Sequence, residues 1–346
     1  MIGFAPSTLH LLPFRLMIPV LPPTPANIQR AAEALRRGDL VGMPTETVYG
    51  LAGNALDTAA LARIFEVKRR PFFDPLIVHI ADRADLDDLC EVSPEAEILM
   101  RAFWPGPLTL VLAKKGSVPD LATSGLPSVA VRMPAHPVAR ALLRAAKLAL
   151  AAPSANPFGG LSPTCADHVA TAFDSGIDCI LDGGPSEIGV ESTVVGWQDG
   201  EPCLLRAGGV SLEALQKALG KKLRAAQAIT DASHAQTSPG ALPWHYAPRT
   251  PLRLLDALDA REDIIASTAG LLWFGPDAPA GVTPGFASVE NLSAQGNLPE
   301  AAANLFAALH RLDAAGLNVI YAALVPESGL GMAINDRLRK AAAAPR

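Results

Sequence analysis

Threonines at 45 and 47, a tyrosine at 49 and a glycine at 50 follow the apolar run Leu40 to Met43, and Lys68, Arg69 and Arg70 come one helix later. Hydroxyls near three cations suit a small anionic or phosphorylated ligand, because lysine offers a point charge and arginine a two-pronged fork for phosphate or carboxylate oxygens. His79 closes the segment Pro75-Leu76-Ile77-Val78-His79, where an imidazole either meets a ligand or sits satisfied in the core. A second constellation runs from Ser154 through Asn156 and Ser162 to Thr164, with Gly159 and Gly160 permitting close backbone approach. It lacks the G-K-[ST] ending of a Walker A loop. A third pairs Ser192 with Thr193; on a strand they face opposite sides, so at most one reaches a site. Arg132 and Arg206 end strand-like runs and complete the anion-binding candidates. Taken singly, each group also fits a capped turn, a solvated basic helix end or a polar surface loop.

Other chemistries find no support. There is no G-x-S-x-G elbow, and no histidine and carboxylate are spaced to activate a nucleophile. The four cysteines, Cys90, Cys165, Cys179 and Cys203, form neither C-x-x-C pairs nor a disulfide framework, so reduced thiols in a cytoplasmic protein are expected. Any Mg²⁺ would arrive with a nucleotide and keep phosphate and water ligands. What remains is positioning and charge neutralisation without a covalent intermediate.

Positioning requires a scaffold, and the hydrophobic periodicity supplies one. It predicts helices over 25–37, 58–67, 94–103 and 137–146, with Leu61, Ile64 and Phe65 on one face of the second. Strands are expected over 40–43, 76–80, 108–113, 129–132, 148–151, 179–181 and 189–195, with another ending at 204–209, and Thr164 reads as a helix N-cap. Irregular helix insertion among many strands points to a mixed α/β sheet. Periodicity fades over 225–251, a Ser-, Pro- and Gly-rich linker that includes Trp244-His245-Tyr246. Beyond it, strands over 252–255, 270–274 and 319–324 alternate with helices over 298–315 and 331–343, a small parallel α/β domain. The expected division is an N-terminal extension (1–24), a catalytic domain (25–224), a linker or lid (225–250) and a C-terminal domain (251–346), with Met17 a candidate start.

At 346 residues and 49% hydrophobic content the chain has material for two cores. Its net charge of −5 offers no general attraction to nucleic acid, so a polyanion site must be local. No apolar run approaches the roughly 20 residues that span a bilayer, and the proline-broken start does not read as a signal peptide.

Taken together, the segments P-T-E-T-V-Y-G-L, K-x-R-P, P-L-I-V-H, W-P-G-P-L-T, V-R-M-P, S-A-N-P, G-V-E-S-T-V-V and L-R-A-G resemble the threonylcarbamoyl-AMP synthases of the YrdC-like family. The linker S-P-G…H-Y-A-P and the ending from Gly329 to Leu338 resemble the long form, with an extra C-terminal domain. The resemblance implies condensation of L-threonine, bicarbonate and ATP to threonylcarbamoyl-AMP with release of pyrophosphate, for threonylcarbamoyladenosine on tRNA. It places Thr45 or Thr47, His79, Arg132, Ala152 and Ser192 around threonine, with Arg132 toward its carboxylate. Lys68, Arg70, Asp74, Ser128, Ser154, Asn156, Ser162 and Arg206 would lie around ATP, Lys68 and Arg70 being catalytic. His245 and Tyr246 would reach back from the linker to cover the nucleotide. The implied partner is the transferase that carries the threonylcarbamoyl group to tRNA; direct contact with that RNA stays open. Some positions depart from the family pattern: Arg69 replaces a small residue, Asp74 replaces asparagine (repulsive near phosphates unless paired or facing the ribose), Phe158-Gly159 replaces a more polar pair, and Ala241 stands where methionine is frequent. The rival reading is an RNA-binding module of the same fold without adenylation activity; the acidic charge and the lack of an aromatic-basic stripe count against it.

Overall fold

The computed structural model describes residues 18–225, 242–255, 266–276 and 285–345. The proposed start at Met17 and most of the expected linker lie outside these residues. In chain order the first domain carries β1 (Val20–Leu21), α1 (Pro25–Arg36), β2 (Val41–Met43), β3 (Gly50–Asn54), α2 (Thr58–Lys68) and β4 (Ile77–His79). It continues with α3 (Pro94–Phe103), β5 (Leu108–Ala113), α4 (Asp120–Thr123), β6 (Ser128–Arg132), α5 (Pro137–Ala146) and β7 (Leu150–Ala151). It closes with α6 (Ala166–Ala172), β8 (Cys179–Leu181), β9 (Thr193–Gln198), β10 (Glu201–Arg206), α7 (Leu212–Leu219) and β11 (Arg224–Ala225).

These strands form one eleven-stranded mixed sheet in the order β1-β8-β2-β3-β7-β4-β6-β5-β9-β10-β11. Strand β1 pairs with β8, so the sheet begins before residue 25, where the catalytic domain was expected to start. Local chemistry sets the helices. Asp57 caps α2 by accepting from the Ala59 N–H, Leu61, Ile64 and Phe65 bury its inner face, and Arg69 ends it in the left-handed conformation at φ 52°. Thus the helix stops at Lys68, three residues before Pro71.

Three expectations change. The strand anticipated over 189–195 begins only at Thr193, because Gly189 turns at φ 73° and the preceding residues form a buried bend. The cap of α6 is Cys165, not Thr164, whose N–H instead donates to His168 Nδ1 at 3.2 Å. Strand β3, Gly-Leu-Ala-Gly-Asn, was not anticipated; its glycines let it press close, since a Cβ on Gly53 would stand 2.9 Å from Leu40.

The second domain contains β12 (Leu252–Leu254), β13 (Ala269–Trp273), β14 (Ser288–Asn291), α8 (Leu298–Ala314), β15 (Val319–Ala322) and α9 (Gly331–Ala342). Its four strands are parallel in the order β12-β15-β13-β14. An apolar cluster joins the domains: Val48, Leu161, Val190 and Tyr246 pack with Phe306, Leu309, Ile334 and Leu338 of α8 and α9. A Cβ on Gly189 would meet the backbone of α8 at 2.4 Å, so the junction has no room for a side chain there.

Candidate active site

One cavity gathers most of the predicted residues. Its wall includes Thr45 and Thr47 from the β2–β3 turn, Arg70, His79 from β4, Arg132 from β6, Ala152 and Ser154, and Glu191, Ser192 and Arg206. His245 and Tyr246 complete it from the segment between the domains.

On one side the turn is organised by its own hydroxyls. Thr45 Oγ1 donates to Val48 O at 2.5 Å and accepts from the N–H groups of Thr47 and Val48, both at 3.2 Å. With that proton committed, the 2.9 Å contact between the two hydroxyls is a donation from Thr47 to Thr45. Thr47 Oγ1 in turn accepts from Arg132 Nη1 at 2.8 Å. The Arg132 guanidinium also lies 2.7 Å from Glu46 Oε1 and donates from Nε to Gly106 O at 3.2 Å. Burial opposes the charge on Glu46, yet Arg132 holds its carboxyl below the usual range. Arg132 therefore reaches the cavity with one carboxylate already paired. Beside it, burial and then Arg132 push His79 down to about 3, which keeps the ring neutral near pH 7. Its Nδ1 faces Ile77 O at 3.2 Å.

Ser192 and Thr193 face opposite ways, as their adjacency demands. Ser192 Oγ meets Thr109 Oγ1 at 2.7 Å and accepts from Arg206 Nη2 at 3.2 Å, whereas Thr193 Oγ1 donates to Val210 O at 2.6 Å. Arg206 Nη2 also donates to Ser192 O at 2.9 Å.

Across the cavity Arg70 is buried against Asp74. Nη2 lies 2.9 Å from Asp74 Oδ2, and the guanidinium donates to the carbonyls of Asp74 at 3.0 Å and Pro75 at 2.8 Å. Asp74 is thus the counter-ion that fixes Arg70; it is fully buried and does not line the cavity. Four other nucleotide-side candidates lie off the wall. Lys68 Nζ donates to the carbonyls of Ser154 and Asn156, both at 2.5 Å, so it anchors the polar loop from behind. Burial drives its ammonium well below the ordinary lysine range. The Asn156 amide donates to Pro157 O at 2.8 Å and Gly160 O at 2.9 Å, holding the same loop in shape. Ser162 Oγ donates to Glu191 Oε1 at 2.5 Å. Ser128 begins β6, opposite Ala113, at the far end from Arg132.

His245 and Tyr246 are 5% and 2% exposed, an unusual state for a linker. Their rings stand 4.2 Å apart, and Tyr246 adopts φ 61°. Phe158 packs edge-on to His245 at 5.5 Å, and Ala247 N–H donates to Gly159 O at 2.8 Å, tying the segment to the polar loop. Burial, with Arg70 and Lys68 nearby, holds His245 neutral.

Sequence reasoning missed the carboxylates and what they pair with. Glu46 and Glu191 sit inside segments already singled out, but a lone buried glutamate gives no periodic signal. Glu191 accepts from Arg337 Nε of α9 at 2.9 Å, a contact 146 residues apart in the chain. Among the described residues no three His, Cys, Asp or Glu side chains gather as a metal site.

A buried pocket with two cationic walls, neutral histidines and an aromatic cover on a mixed α/β sheet defines a group-transfer enzyme that handles anions by positioning. Comparison with known proteins makes this specific. The family described as Telomere recombination matches residues 33–208, and that described as Threonylcarbamoyl-AMP synthase, C-terminal domain, matches 210–343. The threonylcarbamoyl-AMP synthase of Pyrococcus abyssi is 44% identical over 91% of this chain and 94% of its own length; that of Bacillus subtilis is 42% identical over 91% and 93%. The crystal structure of P. abyssi Sua5 complexed with L-threonine superposes with a TM-score of 0.84 at 43% identity, over 92% of this chain and 94% of that one. The chain belongs to the threonylcarbamoyl-AMP synthase family, in its two-domain form.

Proposed function

We propose that the protein makes L-threonylcarbamoyl-AMP from L-threonine, bicarbonate and ATP, releasing pyrophosphate. The observation that carries this is one cavity that brings hydroxyls, neutral His79 and Arg132 together with Arg70 and Arg206. The threonine nitrogen attacks the carbon of bicarbonate and water leaves, giving a carbamate. A carbamate oxygen then attacks the α-phosphorus, and the bond to the bridging oxygen breaks with departure of pyrophosphate. Both partners of the second step are anions, so neutralising cations in a water-poor site lower its barrier; a single such group is worth about 3 kcal/mol in comparable sites.

Thr47 and Ser192 are proposed to orient threonine, with Arg132 and its Glu46 counter-ion fixing the wall beneath. Arg70 and Arg206 face the phosphates, and Lys68 acts through the loop it holds. His245 and Tyr246 cover the nucleotide and exclude water from a carbamate and a mixed anhydride, both of which hydrolyse readily. The carboxylates at the site each pair with arginine, which fits an Mg²⁺ ion carried in on the phosphates. The product is then consumed by a transferase acting on tRNA, in the cytoplasm. Support for this reading comes from the family membership and from the paired walls of the cavity. Pyrophosphate release from ATP, with threonine and bicarbonate omitted in turn, tests it. Release is expected to require both; release indifferent to either omission contradicts the reaction.

A further inference from the structure

The largest fully buried side chain among the described residues is Arg337, on α9 of the second domain. Such a group must be paired, and its partners divide between the catalytic cavity and its own helix, where Nη1 also donates to Asp336 Oδ2 at 2.8 Å. Its Nε donates to Glu191 Oε2 at 2.9 Å, and Nη1 donates to Ala207 O, beside Arg206, at 2.8 Å. Its Cζ stands 5.0 Å from the Tyr246 ring centroid, within cation–π range. Glu191 and Tyr246 both line the cavity.

The charges around the cavity explain why an arginine is needed there. Arg70 is paired with Asp74 and Arg132 with Glu46, while Arg206 lies in the field of Glu191. Without a further cation these three pairs cancel, a poor environment for a triphosphate. Asp336 on α9 bridges Arg337 at 2.8 Å and Lys340 at 3.0 Å, so these three charges together carry the single positive excess. Lys68, behind the loop, is pushed by burial toward its uncharged form.

We propose that Arg337 is a positioning residue through which the second domain sets the charge of the nucleotide site: it neutralises Glu191, so that the positive field of Arg206 acts on the polyphosphate. Loss of Arg337 would leave Glu191 to draw on Arg206, and the site would lose its positive excess although neither wall residue had changed. This rests on ATP being the nucleotide, but it concerns charge, so it is testable with simpler probes.

Calorimetric titration of pyrophosphate, ATP and adenosine into the full chain separates the possibilities. Arg337→Gln is expected to weaken pyrophosphate and ATP at least tenfold and adenosine less than twofold. Adding Glu191→Gln to that variant restores the charge balance and should bring pyrophosphate to within about threefold of wild-type. A merely structural role would weaken adenosine and ATP alike and gain nothing from the second substitution; either result overturns the proposal. If Arg337→Gln does not fold, Glu191→Gln alone decides, since it removes one of the two carboxylates paired with Arg337 and raises the net positive charge of the site by one. Tighter pyrophosphate binding supports the assignment, and unchanged or weaker binding overturns it. Wild-type protein that binds pyrophosphate but not ATP would instead contradict the reading of the function.

Discussion

Arg70 shows how a residue that looks troublesome in the sequence becomes necessary in the fold. An aspartate at 74 would repel phosphates if it faced them, but its carboxylate points at Arg70 and is fully buried. The pair fixes the guanidinium plane, leaving its far edge toward the cavity. Removing one partner of a buried ion pair typically costs 3–5 kcal/mol, because the other charge is left without compensation. Asp74→Asn is therefore expected to lower unfolding free energy by about 3 kcal/mol and raise KM for ATP more than KM for threonine. Urea melts and steady-state kinetics on the same variant check both; a selective rise in the threonine KM would place Arg70 on the wrong wall. The residue types at the site were legible in the sequence, since Thr45, Thr47, His79, Arg132, Ser154, Ser192 and Arg206 all reach the cavity. What was not legible is which polar groups spend their hydrogen bonds on the protein. Lys68, Asn156 and Ser162 have the right chemistry for a nucleotide, yet Lys68 and Ser162 are engaged by a carbonyl and a carboxylate that only folding brings near, and the Asn156 amide is spent on carbonyls of its own loop.

Among the elements, those with strong amphipathic pattern and terminal signals were read to the residue. Helices α3 and α5 start at prolines behind a serine or histidine cap and run to the expected ends. Strands β3 and β14 were not anticipated, for a physical reason: β3 is glycine-rich, and β14, Ser-Val-Glu-Asn, is short, polar and at the edge of its sheet. The end of α2 carries a testable cost. Arg69 is exposed and holds φ 52°, a conformation that a Cβ disfavours by about 1 kcal/mol and that glycine adopts freely. Arg69→Gly should thus raise stability by roughly 0.5–1 kcal/mol, seen as a higher urea midpoint at unchanged slope, without altering turnover. A fall in turnover would give the Arg69 side chain a role at the nearby cavity that its exposure does not indicate.

At the scale of the whole molecule, the two domains meet through half-buried imidazoles as well as apolar surface. His168 of α6 stacks on His310 of α8, with centroids 3.8 Å apart and planes at 22°. His310 Nε2 reaches Ser162 O at 3.2 Å, so the stack touches the loop that shapes the cavity. His168 Nδ1 accepts from the Thr164 N–H, which requires that nitrogen to be unprotonated. Burial, then His310, pushes His168 down to about 4; burial lowers His310 as well, and His79 falls to about 3. All three shifts have the same sign. Below the ordinary histidine value of about 6.5 the unfolded chain takes up protons that the folded one refuses, so stability is full above that pH and declines as pH falls toward 4. His79, wholly buried, alone contributes about 1.4 kcal/mol per pH unit in this window. The arginine-paired carboxylates Glu46 and Glu191 are held below their usual 4.5, so their loss belongs to a lower window. The melting temperature should therefore fall between pH 7.5 and 5.5. His168→Asn keeps an acceptor for the Thr164 N–H but cannot take a proton, and is expected to flatten that slope while leaving stability at pH 7.5 nearly unchanged. A flat wild-type profile would mean that these histidines accept protons in the folded state, and an equally steep His168→Asn profile would remove the interdomain stack as a source of the pH dependence.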